Sequence, residues 1–246
     1  MGGQTKARPL RHAGRAGIEV NAVVATPTLN ASLPPAERGF EIINKVFSHE
    51  QCDELANELS ILHQRERSKT NAKLSGLRNL LRTLPHVAEL ASSDRIAQIF
   101  NSRLDKRPFP VRALFFDKTP DANWFVSWHQ DLTIAVNERI ETEGCGCWSV
   151  KQGIVHVQPP QSILEGMVAL RLHLDDCNAE NGALKVVPGS HRRGRLCAAE
   201  IANSVNEKGA FICEVPKGSA LLMRPLLLHS SSTSKDPSHR RVLQMV

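Results

Sequence analysis

The chain has 246 residues, of which 41% are hydrophobic and 23% are charged, a balance typical of a soluble globular protein. It has no run of eighteen apolar residues, which excludes a membrane-spanning helix and predicts no membrane association. The net charge is +6, and four of the cations precede any acid, at Lys6, Arg8, Arg11 and Arg15. The basic charge is thus partly a property of the amino-terminal segment. No stripe of Lys and Arg interleaved with aromatic residues follows, so nucleic-acid binding is not predicted.

Six cysteines are present, but no two of them form a Cys-x-x-Cys pair and no signal peptide is predicted ahead of them. Reduced thiols in a cytoplasmic protein fit this usage better than a disulfide framework does. Cys145 and Cys147 flank a single glycine, a spacing that differs from that of zinc knuckles, so we interpret this stretch as a loop.

The chain is predicted to consist of an arm and one domain. Residues 1–35 are rich in Gly, Ala, Arg and Pro without an apolar period, which predicts a flexible amino-terminal arm. Residues 36–246 are predicted to form a single domain, as all-β barrels of this length commonly do.

The first part of this domain is predicted to be mainly helical. Residues 40–47 alternate loosely as a strand, and Ser48 with Gln51 three residues later predicts a capping box at the start of a helix. Residues 77–84 and 87–100 also place apolar side chains at helical spacing. We expect these helices to be scaffold, because their apolar stripes need a sheet to cover.

From residue 111 the chain changes to short β-like runs separated by Gly, Pro, Asn and Asp, the pattern of a sandwich or barrel. Residues 137–160 show little period and are predicted to form a long loop of the kind that covers a site. Residues 167–175 alternate most clearly, with apolar side chains on one face and Arg171 and His173 on the other.

The stretch 123–132 carries the first candidate for chemistry. In an extended strand Asn123, His129 and Asp131 point to one face, where they can line a pocket, while Trp128 points to the other face. An imidazole and a carboxylate two residues apart can bind one metal ion, although such a pair is common by chance. One distant His would complete the facial triad that holds Fe(II).

His229 is the candidate for the third ligand, at the end of the apolar run 226–228. A histidine after such a run is more often a core residue than a ligand. Arg240 favours a site, because it follows eleven residues later on what we predict to be the next strand of a hairpin. A buried guanidinium forks two hydrogen bonds onto a carboxylate and would bind the far carboxylate of a dicarboxylic co-substrate.

At these positions the chain resembles the phytanoyl-CoA dioxygenase family of Fe(II)/2-oxoglutarate oxygenases. The resemblance covers residues 40–246 and rests on three motifs, which are His129-Gln130-Asp131-Leu132, Asn181-Gly182-Ala183-Leu184 leading to Pro188-Gly189-Ser190-His191, and His229-Ser230-Ser231 with Arg240 behind. It implies a mostly β fold with flanking helices, built as a double-stranded β-helix, the cupin-like jelly roll.

The resemblance also implies roles for individual residues. The catalytic Fe(II) ligands would be His129, Asp131 and His229. The 2-oxoglutarate pocket would be lined by Arg240, which binds the C5 carboxylate, and by Ser231, Leu114 and Arg171. Arg171 departs from the aromatic residue expected there, and it either meets an acidic substrate or pairs with a neighbouring aspartate.

Three further polar residues are candidates for contact with the substrate, namely Asn123, Lys151 and His173. Each also has a simpler interpretation. Asn123 fits a turn role, Lys151 fits a solvated loop position, and His173 fits a hydrogen bond behind the site.

The predicted function is a dioxygenase that uses Fe(II), O2 and 2-oxoglutarate to hydroxylate a small organic molecule, with release of succinate and CO2. Asp131 favours hydroxylation, because related halogenases carry a small residue at this position. Two alternatives stay open, a cupin-like metalloprotein that does not use 2-oxoglutarate and a non-catalytic relative that serves as a binding module. The sequence predicts neither the substrate nor the oligomeric state.

Overall fold

The computed structural model describes residues 33–70, 76–101, 104, 108–235 and 237–246. Most of the predicted arm, residues 1–32, lies outside these ranges, and the last residue of that arm already begins the first helix. Within the described part of the chain, no helix combines the length and the apolar character needed to cross a membrane.

The helices lie mainly in the first part of the chain. They are α1 (Pro35–Arg38), α2 (His49–Thr70), α3 (Leu80–Thr83), α4 (Pro85–Ala91), α5 (Asp94–Asn101), α6 (Gln161–Glu165) and α7 (Ala198–Lys208), with a 3₁₀ helix at Ser190–Arg193. The predicted capping box of α2 is confirmed, because the backbone N–H of Ser48 donates to Gln51 Oε1 at 3.1 Å and that of Gln51 donates to Ser48 Oγ at 3.2 Å.

The rest of the described chain consists mainly of β-strands. They are β1 (Phe40–Ile43), β2 (Gly76–Leu77), β3 (Ala113–Lys118), β4 (Val126–His129), β5 (Ile134–Val136), β6 (Gly146–Lys151), β7 (Ile154–Gln158), β8 (Ala169–His173), β9 (Leu184–Val186), β10 (Phe211–Cys213), β11 (Ala220–Met223), β12 (His229–Ser231) and β13 (Arg240–Met245).

Two antiparallel sheets face each other and form the jelly roll that the sequence predicted. The larger sheet has the order β1-β11-β8-β13-β3-β2, and the smaller one has the order β10-β9-β12-β4. Nearly every neighbour along a sheet comes from a distant part of the chain, as expected for a roll of crossing strands. A third sheet, β5-β7-β6, contains the segment between β4 and α6.

Alternating side chains divide the larger sheet into a helix-facing side and an interior side. Leu170, Leu172 and Leu243 pack in one buried cluster with Leu59 of α2 and Ile96 of α5. This cluster confirms both the scaffold role of the helices and the alternation predicted for residues 167–175. The residues between these leucines, including Arg171 and His173, therefore face the interior of the roll.

The smaller sheet is divided in the same way. Trp128 of β4 and Leu228 pack with Val205 of α7 on its outer side. Their chain neighbours His129 and His229 must then point inward, toward the larger sheet.

Three predictions of local structure are wrong, and they concern residues 137–160, Leu77 and the hairpin between His229 and Arg240. Residues 137–160 are not an irregular loop, because β6 and β7 pair there as a hairpin around Gln152 and Gly153, whose φ angles are 51° and 75°. Two consecutive positive φ values fit the right-handed twist of a hairpin, but Gln is not a residue that signals such a turn. Leu77 belongs to β2 rather than to a helix.

The predicted hairpin between His229 and Arg240 is also absent. β12 pairs with β4 and β9 in the smaller sheet, while β13 pairs with β3 and β8 in the larger one. The two residues therefore lie on opposite walls of the roll.

Candidate metal centre and co-substrate pocket

His129, Asp131 and His229 converge inside the roll. His129 on β4 and His229 on β12 are direct partners in the sheet, and their ring centroids lie 4.1 Å apart. Asp131 follows two residues after His129, where its backbone N–H donates to the carbonyl of Pro225 at 2.9 Å. One ligand atom from each of the three side chains lies within 4.8 Å of the others, close enough to surround one metal ion.

Both imidazoles are held in the orientation that metal binding requires. Nδ1 of His129 lies 2.8 Å from the carbonyl of Ser127, and Nδ1 of His229 lies 2.8 Å from that of Leu227. Because a carbonyl oxygen only accepts, each Nδ1 carries the proton and each Nε2 keeps its lone pair. Metal-ligating histidines are commonly fixed through such a bond of the second nitrogen.

Gln130 lies between the ligand candidates His129 and Asp131, just after β4, and holds this segment in place. Its buried amide donates to the carbonyls of Gly194 and Leu226 at 2.8 and 2.7 Å, and its oxygen accepts from the N–H of Leu196 at 2.9 Å. The side chain thereby ties the segment to two loops of the chain. The sequence does not predict a role for Gln130, because an amide between two ligand candidates carries no distinctive signal.

The electrostatics of the triad favour a cation. Burial and the neighbouring His129 lower the pKa of His229 well below its usual range, so the ring is neutral at pH 7. Burial would raise the pKa of Asp131, but His229 and Arg112 outweigh burial and lower it below its ordinary value. Two imidazoles and one carboxylate are the donor set of the facial triad that binds Fe(II) and leaves coordination positions open. The residues present thus fit an iron ion.

The opposite wall carries three buried cations. Arg240 on β13, Arg171 on β8 and Lys118 on β3 are 4%, 8% and 1% exposed and belong to the interior side of the larger sheet. No ion pair between these three side chains and a carboxylate is found among the described residues. Buried charges are normally paired, so this wall is suited to an anion that no described side chain supplies.

The two arginines are only partly satisfied by protein groups. Nη1 of Arg240 has the sulfur of Cys177 at 3.9 Å, and Nη1 of Arg171 donates to Oε1 of Gln244. The Nε atoms of both arginines are buried without a hydrogen-bond partner in the described structure. Burial and the nearby Arg240 lower the pKa of Arg171 to about 10, so it stays charged at pH 7. Leu114, which is buried and is the sheet partner of Gln244, lies on the same interior wall.

Lys118 was not predicted as a site residue. Its Nζ lies 3.3 Å from Oγ of Ser231 and also donates to the carbonyl of Ser232, so it joins the two sheets. Burial and the nearby Arg240 lower the pKa of Lys118 to about 7. The only signal in the sequence is its spacing of four residues from Leu114, which places both on one face of a strand.

The three substrate candidates differ in their surroundings. Asn123 donates to the carbonyl of Ser234 at 2.9 Å and accepts from its N–H at 2.7 Å, so its amide joins two loops. Nζ of Lys151, at the end of β6, lies 3.5 Å from Oγ1 of Thr133. His173 is buried beside Arg171 and Arg240, and neither ring nitrogen has a hydrogen-bond partner among the described residues.

A separate apolar cavity of about 910 Å³ lies between α5, α6 and the end of β13. Its lining includes Phe100, Ile163 and Met245 and none of the three metal-ligand candidates. The cavity is therefore distinct from the metal centre.

The sequence matches the family model for phytanoyl-CoA dioxygenase over residues 36–242, and this range contains the triad and Arg240. The chain belongs to the phytanoyl-CoA dioxygenase family. Phytanoyl-CoA dioxygenase 1 of Oryza sativa subsp. japonica is 25% identical in an alignment 211 residues long, which covers 82% of this chain and 62% of that protein. This chain thus spans less than two thirds of the length of the family member it matches. The match confirms the resemblance predicted from the three motifs.

Solved structures support the same fold. EctD from S. alaskensis, with 2-oxoglutarate and 5-hydroxyectoine, aligns with a TM-score of 0.65 and 16% identity over 94% of this chain and 78% of that one. HygX from Streptomyces hygroscopicus, with nickel and 2-oxoglutarate, aligns with a TM-score of 0.59 and 18% identity over 86% of this chain and 82% of that one. At these identities the likeness establishes the jelly-roll architecture.

Proposed function

We propose that this protein is an Fe(II)- and 2-oxoglutarate-dependent dioxygenase that hydroxylates a small organic substrate. One observation carries the proposal. Two histidines and an aspartate meet on one wall of the roll, and the other wall has buried cations that pair with no carboxylate among the described residues. A metal centre opposite an anion pocket is what a chelating diacid requires. The structures of EctD and HygX with bound 2-oxoglutarate share this fold, which supports the assignment.

In this proposal His129, Asp131 and His229 hold the iron. Bound there with 2-oxoglutarate and O2, Fe(II) would supply the oxidant for hydroxylation, while the co-substrate is decarboxylated to succinate and CO2. The protein holds the two Nε2 lone pairs toward the centre through the carbonyls of Ser127 and Leu227. Asp131 stays ionised and occupies its position as a ligand, which favours hydroxylation over halogenation.

The co-substrate would lie between the two walls. The guanidinium of Arg240 would bind the far carboxylate of 2-oxoglutarate, because its Nε has no partner among the described groups. Ser231 projects to the same region from two residues beyond His229, and Leu114 and Arg171 lie on the facing sheet. The neutral His173, buried beside both arginines, adds no further charge to the pocket.

The substrate would enter from the side of the β6–β7 hairpin. Lys151, which lies on that hairpin with its Nζ 3.5 Å from Oγ1 of Thr133, is the residue proposed to meet an anionic group of the substrate. Asn123 is proposed to shape the rim, since both ends of its amide bind the backbone of Ser234. The free thiols throughout the described chain support a reducing, cytoplasmic setting as part of this proposal.

A cupin-like metalloprotein that does not use 2-oxoglutarate is the main rival, and a non-catalytic binding module is the second. We expect purified protein with Fe(II) under air to convert 2-oxoglutarate to succinate, slowly without substrate and faster with it. Asp131→Ala should abolish this turnover. Absence of succinate from wild type and from Asp131→Ala alike would contradict the proposal. A protein that binds Fe(II) but not 2-oxoglutarate would be the cupin-like rival, and one that binds 2-oxoglutarate without turnover would be the binding module.

A further inference from the structure

Two arginines lie on the interior side of the larger sheet, apart from the three buried cations described above. Arg112 lies immediately before β3, where its backbone pairs with Val246 at 2.9 and 3.2 Å, and Arg78 lies immediately after β2. Their chain neighbours Ala113 and Leu77 pack in the helix-facing cluster. Since side chains alternate along an extended chain, Arg112 and Arg78 point to the opposite side, into the roll.

These two arginines lie beside the metal-ligand candidates. Burial and the nearby Arg112 lower the pKa of Arg78, while Asp131 acts to raise it. Burial would raise the pKa of Asp131, and Arg112 is, after His229, the group that does most to lower it. Charges shift one another's pKa values in this way only over short distances, so the two guanidiniums are neighbours of Asp131.

The position of Arg112 separates it from the carboxylate that Arg240 would bind. Arg240 pairs with Lys118 at one end of β3, and Arg112 precedes the other end of this six-residue strand. A strand rises about 3.4 Å per residue, so roughly 20 Å separate the two ends. A five-carbon diacid is much shorter than this distance, and its other end would be bound by the metal. The two arginines are therefore available to a second molecule.

Neither guanidinium is neutralised by another part of the described chain. The side chains of Arg78 and Arg112 make no hydrogen bond and no ion pair with any described residue. The carboxylate that acts on Arg78 is that of Asp131, and a bound metal ion would take its charge. Both arginines are partly exposed, so a small molecule can reach them. Each guanidinium can fork two hydrogen bonds onto an oxyanion.

The third sheet adds to the positive character of this region. His156 of β7 is 1% exposed. Burial lowers the pKa of its ring, and so do three neighbouring cations, which are Lys151, Arg112 and Arg78. The ring is therefore neutral at pH 7, while the charges around it are positive. The third sheet and the edge of the larger sheet thus meet at a cluster of cations next to the metal centre.

We propose that Arg78 and Arg112 form an anion subsite for the substrate, so that the substrate class is a small organic molecule with a carboxylate or phosphate group. This inference rests on the proposed function and narrows its substrate. Lys151, from the third sheet, would approach the same group. A neutral analogue would leave the two guanidiniums without an anion and would lose their charge-assisted hydrogen bonds.

The test is NMR titration of hexanoate, hexyl phosphate and hexanamide into full-length protein loaded with Mn(II) and saturated with 2-oxoglutarate. The three probes share an alkyl chain and differ in the head group. Mn(II) speeds the proton relaxation of a probe bound near it, and Zn(II)-loaded protein is the diamagnetic reference. We expect at least one anion to bind about 10-fold or more tightly than hexanamide and to be relaxed by Mn(II). The tighter anion identifies the head group as carboxylate or phosphate.

Variants of the two arginines assign the effect to this subsite. Arg78→Met and Arg112→Met should each weaken binding of the preferred anion roughly 10- to 100-fold, as for loss of a hydrogen bond to a charged group, and leave hexanamide unchanged. Arg82→Met is the matched control, since Arg82 lies on α3, is exposed and donates to Oδ1 of Asn137 instead. Thermal unfolding and Mn(II) affinity report on folding. If a Met variant fails to fold, the corresponding Lys variant, which keeps the charge but not the fork, should show a smaller loss and decides.

The outcomes distinguish this inference from the proposed function. If wild type binds 2-oxoglutarate but binds the anions no better than hexanamide, the subsite is overturned and the proposed function stands. Anion affinity that survives both arginine replacements overturns the subsite as well. An equal loss of 2-oxoglutarate affinity in these variants would assign the arginines to the co-substrate and also overturn it. A folded, Mn(II)-loaded wild type that does not bind 2-oxoglutarate overturns the proposed function itself.

Discussion

Replacement of Arg240 by leucine is the most informative perturbation of the pocket. The side chain is 4% exposed and forms no ion pair with a carboxylate among the described residues, so its charge is available to a ligand. Truncating one partner of a buried, hydrogen-bonded charge pair costs about 2–5 kcal/mol, which is roughly 30- to 5,000-fold in affinity. Because Lys118 and Ser231 remain nearby, we expect a loss of about 100-fold for 2-oxoglutarate, near the lower end of this range.

The assay is titration of 2-oxoglutarate into Mn(II)-loaded protein, with Mn(II) affinity measured separately. Metal affinity should be unchanged, because Arg240 lies on the wall opposite the triad. Stability without ligand should not fall, since removing an unpaired buried guanidinium removes its burial penalty. Arg241→Leu is the control, as Arg241 is next in the strand and pairs with Asp175 instead. Unchanged 2-oxoglutarate affinity in Arg240→Leu would refute the assignment of this wall to the diacid.

Three other variants test separate parts of the structure. Asp131→Ala should lose most Fe(II) or Mn(II) affinity, as measured by metal titration, because it removes the only carboxylate of the triad; retention of wild-type affinity would exclude this site. His173 is buried with its pKa well below 6.5, so the folded state binds fewer protons than the unfolded one and stability falls as the pH drops below 6.5. His173→Gln should make this decline shallower by up to about 1.4 kcal/mol per pH unit in urea unfolding, and an identical decline would contradict the assignment. Arg241→Leu should lower the free energy of unfolding by about 1 kcal/mol, because it breaks a half-buried bidentate pair with Asp175 at 2.7 and 2.8 Å; no loss would show that the pair is energetically neutral.

The parts of the fold that sequence reasoning predicted are those governed by local rules. The capping box at Ser48 depends on two side chains three residues apart, and both of its hydrogen bonds form. The alternation around Arg171 depends only on the twofold period of a strand, which placed leucines against the helices and the arginine inside. The same twofold period predicted that His129 and Asp131 point to one face.

The parts that failed depend on contacts between distant strands or on unusual backbone angles. The β6–β7 hairpin was missed because its register shifts between Gly146 and Ser149, next to Cys147 with a φ of 51°, which obscures the alternation. His229 and Arg240 were expected in one hairpin because they are near in sequence, but the jelly roll sends successive strands to opposite sheets. The sequence predicted that these two residues serve one site, but it placed them in one hairpin instead of in two sheets.

Lys118 shows the remaining limit of the sequence. A lysine at the end of an apolar strand is usually exposed, and only the pairing of β3 with β13 shows that it stands beside Arg240. Its partners Ser231 and Ser232 come from the other sheet, more than a hundred residues away. No pattern within residues 113–118 contains that information.

The central claim is that three side chains from two remote segments bind one metal ion. The most direct test is a crystal of the full chain soaked with Mn(II) and 2-oxoglutarate, with the metal located by its anomalous scattering. We expect one peak within bonding distance of Nε2 of His129, a carboxylate oxygen of Asp131 and Nε2 of His229, with the diacid extending toward Arg240. A peak that lacks His229 as a ligand, or a metal bound elsewhere, would contradict it.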